Sequence, residues 1–120
     1  MIQHVTREVK TAQLDACIAF YEALGFQRVA APEALAGRFV WLQLGPTQLH
    51  LALTQHPVVQ SGHIAVVLEP YEPSLARLRA AGYAVEARRE HWGSPRAYVH
   101  DPAGNLVEVM AWPPERTGSQ

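Results

Sequence analysis

Residues 2–9 alternate in polarity, with Val5 and Val9 on one face of an extended chain, which predicts a strand. Over residues 12–24 the apolar positions recur at helical intervals, and Gly25 stands where a left-handed C-cap belongs. Short strand-like runs then follow, separated by Pro- and Gly-containing connections. Their bounds are residues 26–30, 38–44 and 48–54. The first half of the chain therefore predicts the order βαβββ.

The second half repeats this order. A strand over residues 63–69 precedes a helix that we expect Pro73 to open and Gly82 to end. Three more strands are predicted at residues 83–88, 96–100 and 106–112. The sequence thus predicts an α+β fold made of two βαβββ modules.

Corresponding positions in the two halves lie at nearly constant offsets, which favours a duplicated module over coincidence. His4 and His63 are 59 residues apart, Gly25 and Gly82 are 57 apart, and His50 and Glu108 are 58 apart. We therefore expect one domain over residues 1–120. Its parts are module one (1–54), a connector (55–62), module two (63–112) and a tail (113–120).

Composition narrows the classes of partner. The chain has 120 residues with 10 Lys and Arg against 11 Asp and Glu, a net charge of −1, so we expect no nucleic-acid or acidic-membrane partner. No apolar run approaches the ~20 residues of a membrane span. The single cysteine, Cys17, fits a reducing compartment, so a cytoplasmic protein is expected. Charged residues make up only 18% of the chain, which leaves apolar surface for a homodimer.

Four residues that can bind a metal share one feature of the pattern. In each predicted strand the alternation places them opposite the aliphatic face. Imidazole nitrogen and carboxylate oxygen are ligands of divalent transition metals. Hydrogen-bonded histidines and a salt-bridged glutamate are the alternative interpretation, and for a single residue it is the commoner one. The four candidates are His4, His50, His63 and Glu108.

Three segments resemble the vicinal oxygen chelate superfamily, which includes glyoxalase I, fosfomycin-resistance enzymes, extradiol dioxygenases and bleomycin-resistance proteins. They are residues 20–26 (FYEALGF), 62–65 (GHIA) and 101–108 (DPAGNLVE). The resemblance extends from His4 to Trp112. It implies paired βαβββ modules forming cupped mixed sheets around a cleft, in a dimer, with metal ligands on the inner strands.

Carried over by position, the resemblance implies that His4, His63 and Glu108 match the ligands of the metal-dependent members. His50 falls where glyoxalase I has a glutamate ligand, so it is either a fourth ligand or a residue that lines the cleft. This departure removes a carboxylate that assists proton transfer in glyoxalase chemistry. Thr6 matches a threonine near the substrate of the fosfomycin-resistance thiol transferases, although no dense group of basic residues for a phosphonate precedes the last strand.

Further substrate-binding candidates are aromatic and basic. The segment 88–96 precedes a predicted inner strand, where loops often contact ligands, but a solvated hairpin with its tryptophan packed on the sheet edge is an equal alternative. The candidates are Trp41, Trp92, Arg96 and Tyr98, and the catalytic candidates are Glu108 and Thr6.

These observations favour a metal-dependent enzyme that acts on a small molecule, in the lyase, isomerase or thiol-transferase range. The cofactor would be a divalent ion, Zn, Ni, Mn or Fe, acting as a Lewis acid. The alternative is a non-catalytic small-molecule or antibiotic binding protein of the bleomycin-resistance type. A dioxygenase ranks lower, because the single-chain extradiol enzymes carry additional modules.

Overall fold

The computed structural model describes residues 1–115 and divides the chain into two compact units. Unit 1 comprises Met1–Ser61 together with Asp101–Asn105, and unit 2 comprises Gly62–His100 and the chain from Leu106 onward. Each unit contains one four-stranded mixed sheet and one α-helix. The predicted α+β fold of two βαβββ modules is confirmed. Part of the predicted tail, residues 116–120, lies outside the described residues.

Unit 1 contains four strands in the order β1-β4-β3-β2, with β1 parallel to β4 and the other pairs antiparallel. Its helix starts later than predicted, because a short 3-10 turn, Thr11–Gln13, precedes it. The elements are β1 (His4–Val9), α1 (Leu14–Ala23), β2 (Gln27–Val29), β3 (Phe39–Leu44) and β4 (Thr47–Leu53).

Unit 2 repeats this topology, with the order β5-β8-β7-β6 and β5 parallel to β8. Its strands are shorter than predicted except β7, which has the predicted bounds. The elements are β5 (His63–Val67), α2 (Tyr71–Ala80), β6 (Glu86–Arg88), β7 (Arg96–His100) and β8 (Leu106–Met110).

The start of α2 differs from the prediction. Pro70, not Pro73, occupies the position before the helix, with φ −76° and ψ 139°. Pro73 lies within the first turn, where the missing N–H would have had no intrahelical partner. The Ser74 hydroxyl donates to the carbonyl oxygen of Pro70 at 2.6 Å. Pro73 therefore indicated correctly that a helix starts nearby, but the helix begins two residues earlier than predicted, at Tyr71.

The predicted helix ends are confirmed by the backbone. Gly25 and Gly82 adopt φ of 101° and 94°, a conformation that side chains with a Cβ rarely adopt. Beyond each glycine the next N–H donates back into the last helical turn, from Phe26 to Tyr21 and from Tyr83 to Leu78. Both helices therefore end with a glycine in the left-handed conformation, followed by an N–H group that donates to the last turn.

Each sheet has one aliphatic face, and these faces form the two cores. In unit 1, Leu42, Leu49 and Leu51 are fully or almost fully buried, as are Phe20 and Tyr21 of α1. In unit 2 the corresponding buried set is Ala97, Val99, Val107 and Val109 from the sheet, with Leu75 and Leu78 from α2. Burial of these side chains leaves the opposite face of each sheet for polar chemistry.

The turn Asp101–Asn105 is attached to unit 1 by Asp101, which is only 3% exposed. Its Oδ1 accepts the backbone N–H groups of Ala103 and Asn105 at 2.9 Å each. Its Oδ2 accepts the Tyr21 hydroxyl at 2.7 Å and the Asn105 side-chain amide at 3.1 Å. Four donors therefore satisfy this buried carboxylate.

Candidate functional site

The polar face of unit 1 consists of the side chains opposite its aliphatic face. Strand register places Thr6, His50 and Trp41 in one row across β1, β4 and β3, and His4, Gln48 and Gln43 in the next. Residues opposite one another in a sheet share a face. His4 and His50 therefore lie on the same face of the sheet, as the alternation predicts.

Three aromatic rings stack on this face. The His50 ring lies between His4, at 4.2 Å and 17°, and Trp41, at 4.2 Å and 3°. Burial lowers the pKa of His50, and the neighbouring His4 lowers it further. The stack therefore favours a neutral imidazole at position 50.

The indole N–H of Trp41 is a further polar group on this face. Its indole Nε1 is buried and has no hydrogen-bond partner among the residues that the structure describes. Buried polar groups are normally hydrogen-bonded, so this N–H is suited to donate to an oxygen of a bound molecule.

His4 and His50 of unit 1 are each held by a glutamine side chain. His4 Nδ1 lies 2.7 Å from Gln3 Oε1, and His50 Nε2 lies 2.8 Å from Gln48 Oε1. Gln48 Nε2 in turn donates to Gln43 Oε1 at 2.8 Å. Sequence reasoning did not single out these glutamines, although the alternation already placed Gln48 on the same face as His50.

Thr6 is exposed and sits opposite His50 in the strand register. It lines a cavity of about 160 Å³ within unit 1, together with Glu8, Val58 and Asn105 among others. Its hydroxyl is therefore available on the polar face, as its predicted catalytic role requires, but the structure does not test that role.

Glu108 is the centre of the polar face of unit 2. His63 Nε2 lies 3.0 Å from its Oε1, and Arg96 Nη1 donates to its Oε2 at 3.2 Å. The side chains of Glu108 and Arg96 are only 9% and 10% exposed, whereas that of His63 is 36% exposed. A buried carboxylate with a partner on each oxygen is held in place by both.

Arg96 was predicted to bind substrate, and the structure gives its guanidinium protein partners. Besides Glu108, it donates through Nε to the carbonyl oxygen of Arg89 at 2.8 Å. These contacts hold the side chain against the strand. Its direct contact with a substrate stays a prediction.

Tyr98 lies opposite Glu108 in the register of β7 and β8. The guanidinium of Arg88 lies 4.9 Å from its ring centre and that of Arg96 lies 5.6 Å away, while the His63 ring is 5.6 Å distant. Sequence reasoning found no dense basic group here. The antiparallel pairing of β6 with β7 brings Arg88 opposite Arg96, a pair that sequence distance alone did not reveal.

Trp92 donates its indole N–H to the backbone carbonyl of Trp112 at 2.9 Å. Nearby, the Ser94 hydroxyl oxygen accepts the N–H groups of Ala111 and Trp112 at 3.1 and 3.0 Å. The loop is thus attached to the chain that follows β8, as in the alternative of a tryptophan packed on the sheet edge. A substrate contact by Trp92 stays a prediction.

The structure divides the candidate ligands between the units, with His4 and His50 in unit 1 and His63 and Glu108 in unit 2. Within residues 1–115, no group of three or more His, Cys, Asp or Glu side chains is arranged to hold a metal ion. The structure therefore brings the candidate ligands together only in pairs.

No helix within residues 1–115 is long and apolar enough to cross a membrane.

Two βαβββ modules, each a four-stranded mixed sheet with one helix, define the vicinal oxygen chelate class of fold. The model of the glyoxalase-like domain family matches residues 5–110, so the chain belongs to that family. No curated protein matches the chain.

Solved structures agree with this assignment. A protein from Bacillus anthracis ascribed to the glyoxalase family is 26% identical, with a TM-score of 0.82 over 92% of this chain and 93% of that chain. Lactoylglutathione lyase from Agrobacterium tumefaciens is also 26% identical, with a TM-score of 0.71 over 92% of each chain. The fosfomycin resistance protein FosX from Listeria monocytogenes, 18% identical, shares the fold, with a TM-score of 0.75 over 94% of this chain and 91% of that chain.

Proposed function

We propose that the protein is a metal-dependent enzyme of the glyoxalase-like class, acting on a small molecule that binds a divalent ion through adjacent oxygens. The proposed ligands in unit 2 are His63 and Glu108, and the proposed ligand in unit 1 is His4. The observation that carries the proposal is the contact in unit 2 between His63 Nε2 and Glu108 Oε1, at 3.0 Å. Each of these two atoms can bind a metal ion.

This pair fits a metal in both chemistry and spacing. Two ligands at right angles on an ion at about 2.1 Å lie about 3 Å apart, and two tetrahedral ligands about 3.4 Å apart; the separation of these atoms is close to the first value. His4 fits as well, because its Nδ1 is bonded to Gln3 Oε1 and its Nε2 remains for a ligand bond. Metal-bound histidines commonly donate their other N–H in this way.

A divalent ion, Zn, Ni, Mn or Fe, would supply Lewis-acid polarisation of a substrate oxygen. The residues of the chain would position that substrate. Arg96 holds Glu108 Oε2 and compensates its charge, and the buried N–H of Trp41 would donate to a substrate oxygen. Thr6 would offer its hydroxyl from the exposed part of the polar face.

A second candidate is a non-catalytic small-molecule binding protein. It is favoured by one observation: both oxygens of Glu108 already have protein partners, His63 and Arg96. A carboxylate paired in this way needs no metal to offset its burial. In that case the stacked rings of His4, His50 and Trp41 would bind the ligand.

We also propose that the protein is a cytoplasmic homodimer. Apolar side chains that a second copy would cover include Ile2 and Trp112, which are 69% and 50% exposed. The one cysteine, Cys17, is buried and forms no disulfide among the described residues, which is compatible with a reducing compartment.

Metal content separates the two functions. Protein purified without chelator or affinity metal should contain a divalent ion by elemental analysis, and the stripped protein should bind Zn, Ni, Mn or Fe in a calorimetric titration. Glu108→Gln should lower metal affinity by at least about tenfold, because it removes a ligand charge. Glu86→Gln, at an exposed glutamate of the same sheet, is the matched control and should leave the affinity unchanged.

The first substrates to assay are lactoylglutathione and fosfomycin, because two structural neighbours are a lactoylglutathione lyase and a fosfomycin resistance protein. Activity that is lost on metal removal and restored on its return would support the enzyme. Absence of divalent binding by the wild-type protein, together with tight binding of a small molecule, would replace the enzyme with the binding protein.

A further inference from the structure

A continuous series of side-chain hydrogen bonds runs along the polar face of unit 1 and ends at a backbone carbonyl. Gln43 Nε2 donates to the carbonyl oxygen of Gly45 at 2.6 Å. Gln48 Nε2 donates to Gln43 Oε1 at 2.8 Å. His50 Nε2 lies 2.8 Å from Gln48 Oε1. These three residues and the Gly45 carbonyl are called the amide relay below.

The direction of every bond in the amide relay follows from its last member. A backbone carbonyl can only accept, so the atom of Gln43 that faces Gly45 must be the nitrogen. The oxygen of Gln43 then faces Gln48 and must receive the Gln48 nitrogen. The remaining Gln48 atom is an oxygen, which needs a donor, and the atom that faces it is His50 Nε2.

The neighbouring rings hold His50 in the plane that this bond requires. His4 and Trp41 cover the two faces of the imidazole at 4.2 Å each. A ring covered on both faces resists the rotation that would exchange its two nitrogens. The geometry therefore favours one orientation of the ring, with Nε2 toward Gln48 Oε1.

We propose that Gln43 and Gln48 are positioning residues that hold neutral His50 as the Nε2–H tautomer. His50 Nδ1 is then the unprotonated nitrogen, the atom through which His50 would accept a hydrogen bond from a small molecule bound as in the proposed function. Which ring nitrogen of a histidine is protonated is set by the bond that the other makes. All members of the amide relay belong to unit 1, so the tautomer can be measured in protein freed of metal.

The test uses the full chain, labelled with ¹⁵N and freed of metal, in two-bond ¹H–¹⁵N correlation spectra at about pH 8, where imidazoles are mostly neutral. His50→Asn identifies the signals of His50. In the wild type we expect a pyrrole-like Nε2 and a pyridine-like Nδ1. In Gln48→Leu the ratio of the two tautomers should fall about tenfold, the effect of losing roughly one hydrogen bond.

Three variants separate positioning from a general effect on the fold. Gln48→Glu keeps an acceptor and should restore the Nε2–H tautomer. Gln43→Leu frees the Gln48 amide to turn and should give a mixture. Gln55→Leu, at an exposed position of the connector, should change nothing. If Gln48→Leu does not fold, Gln43→Leu gives the same readout.

A wild-type His50 that carries its proton on Nδ1, or an equal mixture in the wild type, would overturn the inference. So would an unchanged tautomer ratio in the folded Gln48→Leu and Gln43→Leu variants. Because the measurement is made without metal, these outcomes are independent of the metal-content test of the proposed function.

Discussion

The two units have the same topology and different chemistry at equivalent positions. His50 of unit 1 corresponds to Glu108 of unit 2, and Trp41 corresponds to Tyr98. In unit 1 the central side chain is a neutral ring stacked between two others. In unit 2 it is a carboxylate bonded to His63 and Arg96. One backbone thus supports either ring stacking or ion pairing, depending on the residue at its centre.

The two helices also have different buried residues at equivalent positions. Cys17 and Tyr21 of α1 correspond to Ser74 and Leu78 of α2, and all four are buried. Tyr21 has a hydroxyl to satisfy, and Asp101 accepts it at 2.7 Å. Leu78 needs no partner. The polar core of unit 1 therefore depends on a turn that the sequence places between β7 and β8.

The largest expected effect comes from removing the Asp101 carboxylate. Asp101→Ala loses four hydrogen bonds and leaves the Tyr21 hydroxyl buried without its acceptor. We expect the free energy of unfolding to fall by about 4 kcal/mol, measured by urea denaturation. Asp101→Asn keeps one accepting oxygen for the two backbone N–H groups and should lose less. A loss below about 1 kcal/mol in the alanine variant would contradict this account of the turn.

Breaking the ion pair of unit 2 should have the next largest effect. Arg96→Met leaves Glu108 with one partner in a site where its side chain is 9% exposed, so we expect a loss of about 3 kcal/mol in the free energy of unfolding.

Arg88→Met is the matched control for this change. Its partner Glu86 is 69% exposed and Arg88 itself is 42% exposed, so the loss should stay below about 1 kcal/mol. Equal losses in the two variants would show that the buried pair of unit 2 contributes nothing beyond an ordinary surface pair.

The smallest effect concerns alkaline pH and Cys17. Burial, with a smaller contribution from Asp101, raises the pKa of the Cys17 thiol from 9.0 to about 12. Above pH 9 the unfolded thiol ionises while the folded one stays protonated, so stability falls as pH rises toward 12. Between pH 9 and about 10.5 the wild type should lose about 2 kcal/mol more than Cys17→Ala.

Urea denaturation at both pH values in the two proteins measures this difference. Tyr21 is present in both, so its own titration cancels. Cys17→Ser, which gives unit 1 the residue found at the corresponding position of unit 2, should lie close to the alanine variant. Identical pH dependence in the wild type and Cys17→Ala would show that the thiol is not protected by burial.

The repeated order of elements and the face of each strand could be predicted from local sequence patterns alone. Alternation with period two placed His50 and Glu108 opposite the aliphatic rows, and Gly25 and Gly82 marked the helix ends. These features depend on interactions between near neighbours in the chain, so a local pattern is enough to predict them. The exact ends of helices and strands were predicted less well: α2 begins at Tyr71, whereas Pro73 was expected to open it.

The contacts between side chains that are distant in sequence could not be predicted, because they depend on how the strands and turns pack together. Asp101 and Tyr21 are 80 residues apart, and the stack of His4, His50 and Trp41 requires β4 to lie between β1 and β3. Alternation gives the face of a strand but not its neighbours or its register. Hydrogen bonds and ring stacking depend on distances of a few ångströms, and only the packed chain sets these distances.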